Sequence, residues 1–267
     1  MNGLADRIAL GTKSVESQVA FFEDRFGSVE SEWKKDNSRV TEADYRISER
    51  VCNAVSETFP KDDFCSEESG QKETQYLDAQ FCWVIDPVDG TNNFAIGLPN
   101  CAISLALLEN GDPIYGWVYD FAGKRLIHGG AGRGLFSGHD PLTPRKIGRE
   151  TDTPIGIQFP LPSSQINNLQ SLFSKERIRS FGSGTMIGTY VCLGLLEGAI
   201  DFRVKVWDIA AFVALFKETG LTYQFIGKSP FPLRTFDLEM DPTPYVAGTT
   251  AFHDRMRKKV PTYPEFE

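Results

Sequence analysis

The segment from Trp83 to Phe94 constrains the fold most, because it runs from an apolar strand directly into an acidic glycine turn. Asp86 and Asp89 lie three positions apart where the apolar run ends. Oxygen ligands at the carboxyl end of a buried strand lie at the sheet edge where ligands bind. The following Gly90 and Thr91 can offer free backbone N–H groups to an anion. The segment therefore predicts a combined metal and phosphate site.

Composition narrows the classes of protein that the chain can belong to. With 267 residues, 41% of them hydrophobic, it can form one large domain or two modest ones. The net charge of −8 argues against a nucleic-acid polymer as partner, because phosphate backbones need a basic surface. No apolar run approaches the roughly 20 residues of a membrane span, and no signal peptide is recognisable. These features predict a cytoplasmic protein with no membrane partner.

The cysteines and the charge add two further expectations. Five cysteines lie far apart and form no C-x-x-C pair, which predicts buried free thiols. An acidic protein that handles an anionic substrate must recruit cations. A phosphorylated substrate would therefore imply a divalent metal ion.

Periodicity predicts two long helices before the acidic turn. Val15, Val19 and Phe22 recur at helical spacing, and residues 42–59 repeat that pattern after Thr41, a plausible N-cap. Between residues 81 and 136, short apolar runs separated by glycine-rich turns predict a meandering sheet.

The aperiodic stretch from Gly138 to Pro154 is the predicted boundary between two halves. Beyond it, strands are predicted at 155–159 and 199–204, and helices at 164–173, 185–197 and 208–219. The chain thus divides into an N-terminal α+β half, residues 1–140, and a C-terminal α/β half, residues 150–267. Together they would form one compact catalytic unit with the active site between the halves.

Four acidic segments border predicted elements, as ligands at a sheet edge should. Mg²⁺ prefers octahedral oxygen coordination, so carboxylates converging from separate segments fit it. The segments are Thr41–Asp44, Ser66–Ser69, Asp86–Thr91 and Trp207–Ala211.

These four segments resemble the motifs of the inositol monophosphatase family, a branch of the lithium-sensitive, magnesium-dependent phosphatases that also includes fructose-1,6-bisphosphatases. The patterns V-T-x-A-D, E-E, W-x-x-D-P-[IL]-D-G-T-x-N-F and W-D-x-A-A appear in order, beginning at Val40, Glu67, Trp83 and Trp207, with Val88 at the [IL] position. The resemblance implies an α/β fold, a layered αβαβα sandwich of the sugar-phosphatase type. It also implies a homodimer, inhibition by Li⁺ and two to three Mg²⁺ ions per site.

The family's metal ligands can be carried over residue by residue. Glu67, Asp86 and the carbonyl of Val88 would hold one Mg²⁺. Asp86, Asp89 and Asp208 would hold a second, and Glu67 would share a weaker third. Two metals that clamp the attacking and leaving oxygens would favour direct attack by a metal-activated water.

The remaining roles also follow from the resemblance. Asp44 and Thr91 would orient and deprotonate the water, and the amides of Gly90 and Thr91 would hold the phosphate. The turn Gly182-Ser183-Gly184 and the carboxylate of Asp201 would contact the substrate.

Two departures leave the substrate open. The family's Gly-Ser/Thr-Ala-Ala turn reads Gly182-Ser183-Gly184-Thr185 here, and Asp201 replaces a longer glutamate. An aspartate at that place is similar to histidinol-phosphatase members, in which it could meet an ammonium group. The substrate is thus an inositol monophosphate-like polyol or sugar phosphate, or alternatively histidinol phosphate.

Each motif also has a structural interpretation. Asp89-Gly90 could be a turn, Thr41 and Asp44 a helix cap, and Asp208 an N-cap. Arg203 and Lys205 could either face the pocket or be solvated strand ends; the solvated interpretation is favoured, because long cations at the ends of short strands are usually exposed. Trp83 and Trp207 are expected to pack in the core. No catalytic role is expected for the three histidines, His128, His139 and His253.

Two rival functions compete with this interpretation. Haloacid dehalogenase phosphatases need D-x-D-G-T, whereas position 87 here is proline, so that class is rejected. A catalytically idle relative that binds a phosphometabolite is the more distant alternative.

Overall fold

The computed structural model describes residues 3–33, 39–70, 73–147 and 153–260. Seven helices lie within them: α1 (Leu4–Arg25), α2 (Glu42–Thr58), α3 (Thr91–Ile96), α4 (Ser163–Phe173), α5 (Gly184–Cys192), α6 (Val206–Thr219) and α7 (Thr250–Arg257). None of these helices is long and apolar enough to cross a bilayer.

The same residues form sixteen strands. They are β1 (Ser31–Trp33), β2 (Arg39–Thr41), β3 (Asp63–Ser66), β4 (Gln75–Tyr76), β5 (Phe81–Asp89), β6 (Ala102–Glu109), β7 (Asp112–Asp120), β8 (Arg125–Gly129), β9 (Leu135–Ser137), β10 (Asp140–Pro141), β11 (Ile155–Ile157), β12 (Ile178–Arg179), β13 (Gly198–Asp201), β14 (Thr222–Phe225), β15 (Thr235–Phe236) and β16 (Tyr245–Gly248).

Two mixed sheets carry the architecture. The first has the order β10-β9-β8-β7-β6-β5-β3 and is antiparallel except for the parallel pair of β3 and β5. The second has the order β12-β11-β13-β16-β14, and its parallel pairs are those that β11 makes with β12 and β13. Strands β1 and β2 form a separate hairpin.

The fold has five layers of helices and sheets, which are held together by three apolar cores. Helices α1 and α2 pack on the outer face of the first sheet, around residues such as Phe22, Ile47 and Trp117. Helices α5 and α6 fill the space between the sheets, and α4 and α7 cover the outer face of the second. Burial of apolar side chains in these three cores stabilises the stack of five layers. The predicted αβαβα sandwich is confirmed.

A bulge in β5 gives the acidic turn its geometry. Asp86 pairs with Ser104 of β6, and Asp89 pairs with Ala102, so three steps along β5 match two along β6. Residues three apart on a regular strand point to opposite faces, but one extra residue returns the second to the same side. Pro87, which cannot donate to the ladder, sits inside this irregularity.

Several predicted elements end earlier than the sequence indicated. Helix α5 stops at Cys192, not near residue 197, because Gly194 takes a left-handed conformation (φ 69°) that closes the last turn. Strand β13 stops at Asp201, whose side chain accepts the backbone N–H of Arg203 at 2.9 Å. Strand β11 is also shorter and ends at Ile157.

Other local predictions are confirmed. Thr41 caps α2. Trp83 and Trp207 are buried in the core. All five cysteines are free, but Cys52 is only half-buried because its helix carries it toward the surface. Part of the predicted boundary, residues 148–152, lies outside the described residues.

Candidate active site

Three carboxylates converge at the edge of the first sheet. Asp86 and Asp89 come from the bulged end of β5, and Asp208 comes from the first turn of α6. One oxygen from each lies within 4.8 Å of the others. Asp208 is not the N-cap of α6, since the helix begins at Val206 and the Asp208 carboxylate accepts the N–H of Lys205 at 2.6 Å.

Burial makes this cluster electrostatically costly. Desolvation, followed by repulsion from Glu67 and Asp89, raises the pKa of Asp86 well above its ordinary value. Desolvation likewise raises the pKa of Asp208, with a further contribution from Asp89. The pKa of Asp89 rises only to about 6, because burial is partly offset by hydrogen bonds from Ser183, Thr185 and Gly184.

The donor set fits a divalent cation of the Mg²⁺ type. All the converging atoms are carboxylate oxygens, the ligand class that Mg²⁺ prefers. Across the described ranges, none of the three carboxylates forms an ion pair with a lysine or arginine. Buried carboxylates without a protein counter-ion need an external one if they are to ionise.

The cluster opens into a cleft of about 610 Å³ between elements of the two sheets. Half-buried Glu67, which follows β3, lines this cleft and acts on the Asp86 carboxylate by charge repulsion. Val88 lines it too, and its carbonyl accepts the hydroxyl of Thr91 at 2.8 Å. The structure thus brings the five predicted metal-binding residues to one cleft.

Gly90 and Thr91 form the floor of the cleft where β5 passes into α3. Gly90 is left-handed (φ 81°), and a Cβ there would lie 2.9 Å from the carbonyl oxygen of Asn100. Only glycine satisfies both conditions without displacing that backbone. The turn is therefore closely packed against the neighbouring backbone.

Asp44 caps α2 and also lies next to Thr91. Its Oδ2 accepts both the N–H and the hydroxyl of Thr41, at 2.8 and 2.6 Å, which caps α2. Its Oδ1 lies 3.2 Å from the hydroxyl of Thr91, at the floor of the cleft. The cap therefore fixes one carboxylate oxygen and leaves the other next to Thr91.

The turn predicted to contact substrate is largely engaged by Asp89. The Ser183 hydroxyl donates to the Asp89 carboxylate, and the amides of Gly184 and Thr185 donate at 3.2 and 3.0 Å. Asp89 thus lies at the N-terminus of α5, where the helix dipole favours a negative charge. Of the predicted turn residues, Gly182 is the one that lines the cleft.

Asp201 lies behind the cleft wall and not on it. It is 1% exposed, and one of its oxygens has no hydrogen-bond partner among the residues that the structure describes. Desolvation raises its pKa to about 7. Arg203 and Lys205, by contrast, line the cleft. The expectation that Lys205 is solvated is wrong: it is half-buried, and its Nζ donates to the carbonyl of Met240.

The motifs did not predict the role of one residue at the site. Asn93 donates to the carbonyls of Asn100 and Phe181, at 2.8 and 2.6 Å, and so ties α3 to the segment before α5. The one sequence feature that pointed to Asn93 was its place in the Asn-Phe pair that ends the motif beginning at Trp83. The three histidines lie away from the cleft: His128 and His139 line a separate cavity, and His253 bonds the carbonyl of Thr222 at 2.8 Å.

The chain is similar in sequence and in fold to several known proteins. The Bacillus subtilis protein named Inositol-1-monophosphatase is 32% identical over 73% of this chain and 75% of its own length. Nus factor SuhB of Pasteurella multocida is 28% identical over 82% of this chain and 84% of its own. A solved structure of an IMPase/NADP phosphatase complexed with Mg²⁺ and phosphate has the same fold. Its TM-score is 0.78 at 21% identity, over 99% of this chain and 97% of that one.

The match is not confined to the motifs. Residues 8–263 match the sequence profile described as the Inositol monophosphatase family. The phosphatases of that family are phosphoric monoester hydrolases. The enzyme class predicted from the sequence is therefore confirmed. The chain belongs to the inositol monophosphatase family.

Proposed function

We propose that the protein is a Mg²⁺-dependent phosphomonoesterase that hydrolyses a small phosphorylated alcohol by direct attack of water. The observation that carries the proposal is the convergence of Asp86, Asp89 and Asp208 within 4.8 Å in a cleft that also holds Thr91. The name of the B. subtilis relative supports the same reaction, and so do the Mg²⁺ and phosphate of the solved IMPase/NADP phosphatase complex.

The proposed metal ligands are Glu67, Asp86, the Val88 carbonyl, Asp89 and Asp208. Bound Mg²⁺ would neutralise these carboxylates, lower the pKa of a coordinated water and stabilise charge on the transferring phosphoryl group. Two to three ions per site is the number that the family resemblance implies. The chain's own role is to hold its carboxylates converging, and the hydrogen bonds to Asp89 favour the ionised form of that one side chain.

Asp44 and Thr91 are the proposed proton-handling pair. The Thr91 hydroxyl lies 3.2 Å from Asp44 Oδ1 and 2.8 Å from the Val88 carbonyl. Its single proton can turn from the Val88 carbonyl to Asp44, and its oxygen can then accept a hydrogen bond from water in the cleft. The carboxylate of Asp44 is thereby placed to take up the proton that the attacking water loses.

The proposed phosphate site is the Gly90-Thr91 turn on the cleft floor. Its close packing leaves no room for a side chain at position 90. Backbone amides there would hold the phosphate without a charged side chain. The proposed mechanism has no aspartyl nucleophile, because Asp86 and Asp89 are both assigned to metal binding.

A polyol or sugar phosphate fits the cleft better than histidinol phosphate does. Asp201, the residue that would meet an ammonium group, is buried behind the wall. The wall itself presents Arg203 and Lys205, which repel a cationic leaving group. A cytoplasmic location, a homodimer and Li⁺ inhibition remain part of the proposal, on the strength of the sequence and the family resemblance.

The test is phosphate release from inositol 1-phosphate, histidinol phosphate and fructose 1,6-bisphosphate, in Mg²⁺ and in EDTA. The proposal predicts turnover in Mg²⁺ and none in EDTA. A hundredfold preference for one substrate would identify it, since that ratio corresponds to about 2.7 kcal/mol of transition-state binding. Absence of turnover with every substrate would favour a non-catalytic role. The name of one relative, Nus factor SuhB, gives an example of such an alternative.

A further inference from the structure

Thr185 links two proposed metal ligands that come from different elements of the fold. It lies in the first turn of α5 and is fully buried. Its backbone amide donates to the Asp89 carboxylate at 3.0 Å, and its hydroxyl donates to the backbone carbonyl of Asp208 at 2.8 Å. One residue therefore contacts the ligand at the end of β5 and the backbone of the ligand in α6.

A close approach of α5 to α6 makes this link possible. A Cβ at Gly184 would lie 3.3 Å from Cβ of Asp208. A Cβ at Gly188 would lie 2.4 Å from Cδ1 of Phe212. Each pair is four residues apart on its helix, so a face of α5 without side chains packs on one face of α6. The first turn of α6 therefore lies within reach of a short hydroxyl side chain on α5.

This contact arises where the chain departs from the family's Gly-Ser/Thr-Ala-Ala turn. Gly184 and Thr185 occupy the places of the two alanines. An alanine methyl group at position 184 would press on the side chain of Val204, whose Cγ1 would be 2.7 Å away. An alanine at position 185 would have no hydroxyl to donate. The hydrogen bond to the Asp208 carbonyl is thus a property of this chain's own turn.

Asp208 is held at two points. The N–H of Lys205 donates to its carboxylate at 2.6 Å, and the Thr185 hydroxyl donates to its backbone carbonyl. Because Thr185 also holds the carboxylate of Asp89, it couples the positions of the two ligands. Mg²⁺ requires oxygen ligands at about 2.0–2.1 Å in near-octahedral geometry, whereas Ca²⁺ accepts about 2.3–2.6 Å in flexible geometry. Ligands that cannot move apart therefore discriminate against the larger ion.

We propose that Thr185 is a positioning residue that fixes the separation of Asp89 and Asp208, so that the site selects a small divalent cation over a larger one. This inference rests on the proposed function, because it concerns the cations of the same site. Thr185 acts through the two aspartates and takes no part in bond cleavage. A hydroxyl that only holds α5 to α6 would affect stability and leave the preference between cations unaltered.

The experiment compares Thr185→Val, which keeps the branched shape but lacks the hydroxyl, with Thr185→Ser, which keeps the hydroxyl. Thr189→Val is the matched control. Thr189 lies one turn further along α5 and is fully buried, and its hydroxyl has no hydrogen-bond partner within the described part of the chain. Each protein is freed of metal with EDTA, dialysed, and titrated calorimetrically with Mg²⁺ and with Ca²⁺ in the absence of substrate.

We expect Thr185→Val to lower the affinity for Mg²⁺ about tenfold and the affinity for Ca²⁺ by no more than about threefold. Thr185→Ser and Thr189→Val should keep the ratio of the two affinities within about twofold of that in the unmodified protein. Thr185→Ala tests the same loss if valine prevents folding.

Urea unfolding of the metal-free proteins measures the stability of each variant separately from its metal affinity. An unaltered ratio of Mg²⁺ to Ca²⁺ affinity in Thr185→Val or Thr185→Ala would overturn the positioning role, whatever the change in stability, and would leave the phosphatase proposal intact. Failure of Thr185→Ser to keep that ratio would also overturn it. An unmodified protein that binds neither ion would overturn both proposals.

Discussion

The carboxylate of Asp89, at the end of β5, accepts a hydrogen bond of 3.0 Å from the backbone amide of Thr185, in the first turn of α5. A proposed metal ligand from the first sheet is thus held by a helix that packs between the two sheets. The Ser183 hydroxyl donates to the same carboxylate and also accepts the N–H of Met186 at 3.1 Å. Helix capping and ligand orientation therefore share one side chain.

Ser183→Ala should lower both stability and metal affinity. It removes the N-cap of α5 and one donor to Asp89, so the free energy of unfolding should fall by about 1–2 kcal/mol. Loss of that donor also raises the pKa of Asp89, so Mg²⁺ competes less well with protons near pH 6. Urea unfolding and Mg²⁺ titration measure the two effects, with the exposed Ser56→Ala as control. A variant with unaltered Mg²⁺ affinity at pH 6 would show that Ser183 only caps the helix.

Asp44→Asn separates the catalytic role of Asp44 from its capping role. Asparagine keeps an oxygen for the Thr41 contacts but cannot take up a proton, so kcat should fall by about 10²–10⁴-fold with Mg²⁺ affinity unchanged. Steady-state kinetics with a Mg²⁺ titration measure this. If Asp44 serves only as a cap, the free energy of unfolding changes by about 1 kcal/mol and kcat does not change.

Asp201 should make stability depend on pH. Burial raises its pKa to about 7, so the folded protein binds this proton more tightly than the unfolded chain does. The resulting stabilisation is present below the ordinary pKa near 4 and is lost as the pH rises toward 7. The asparagine in Asp201→Asn cannot ionise, so the stability of this variant does not fall for that reason as the pH rises.

In EDTA, the difference in unfolding free energy between Asp201→Asn and the unmodified protein should grow in favour of the variant from pH 4 to 7. The change should be about 4 kcal/mol at most, because each tenfold difference in proton affinity between the folded and unfolded states is worth about 1.4 kcal/mol. Urea unfolding at several pH values measures it. A difference that stays constant across this range would mean that Asp201 has an ordinary pKa in the folded protein.

Gly184→Ala should disturb the metal site through packing. A Cβ at position 184 would lie 2.7 Å from Cγ1 of Val204 and 3.3 Å from Cβ of Asp208. The added methyl group would push against the side chains of Val204 and Asp208 and shift the Asp208 carboxylate, so Mg²⁺ affinity should fall about tenfold or more. Val204→Ala removes the closest atom, so the double variant should regain part of that affinity. An affinity in Gly184→Ala equal to that of the unmodified protein would contradict the packing argument.

Periodic apolar faces predicted most of the helices and strands, and acids bordering those elements predicted a metal site, whereas the layered αβαβα arrangement followed from the family resemblance. Three separated motifs brought Glu67, Asp86, Asp89 and Asp208 to one cleft, as predicted. The bulge between Asp86 and Asp89 was not predicted, because it depends on pairing with β6. Pro87 was its one local signal.

Tertiary contacts explain the differences at the substrate side. The turn after Phe181 looked free to meet substrate, but its hydroxyl and amides are engaged by Asp89, far away in sequence. Lys205 looked like a solvated strand end, but the cleft and the Met240 carbonyl surround it. Neither partner could be identified from spacing along the chain.

The most direct test of the central claim, that converging carboxylates support Mg²⁺-dependent hydrolysis, is kcat/KM for inositol 1-phosphate in Asp208→Asn. Asp208 belongs to the three-carboxylate cluster, whereas Asp78, which is exposed, provides the control Asp78→Asn. The account predicts a loss of at least about a hundredfold for Asp208→Asn at saturating Mg²⁺, with Asp78→Asn unchanged. Activity in Asp208→Asn within about twofold of the unmodified protein, in Mg²⁺ or in EDTA, would contradict it.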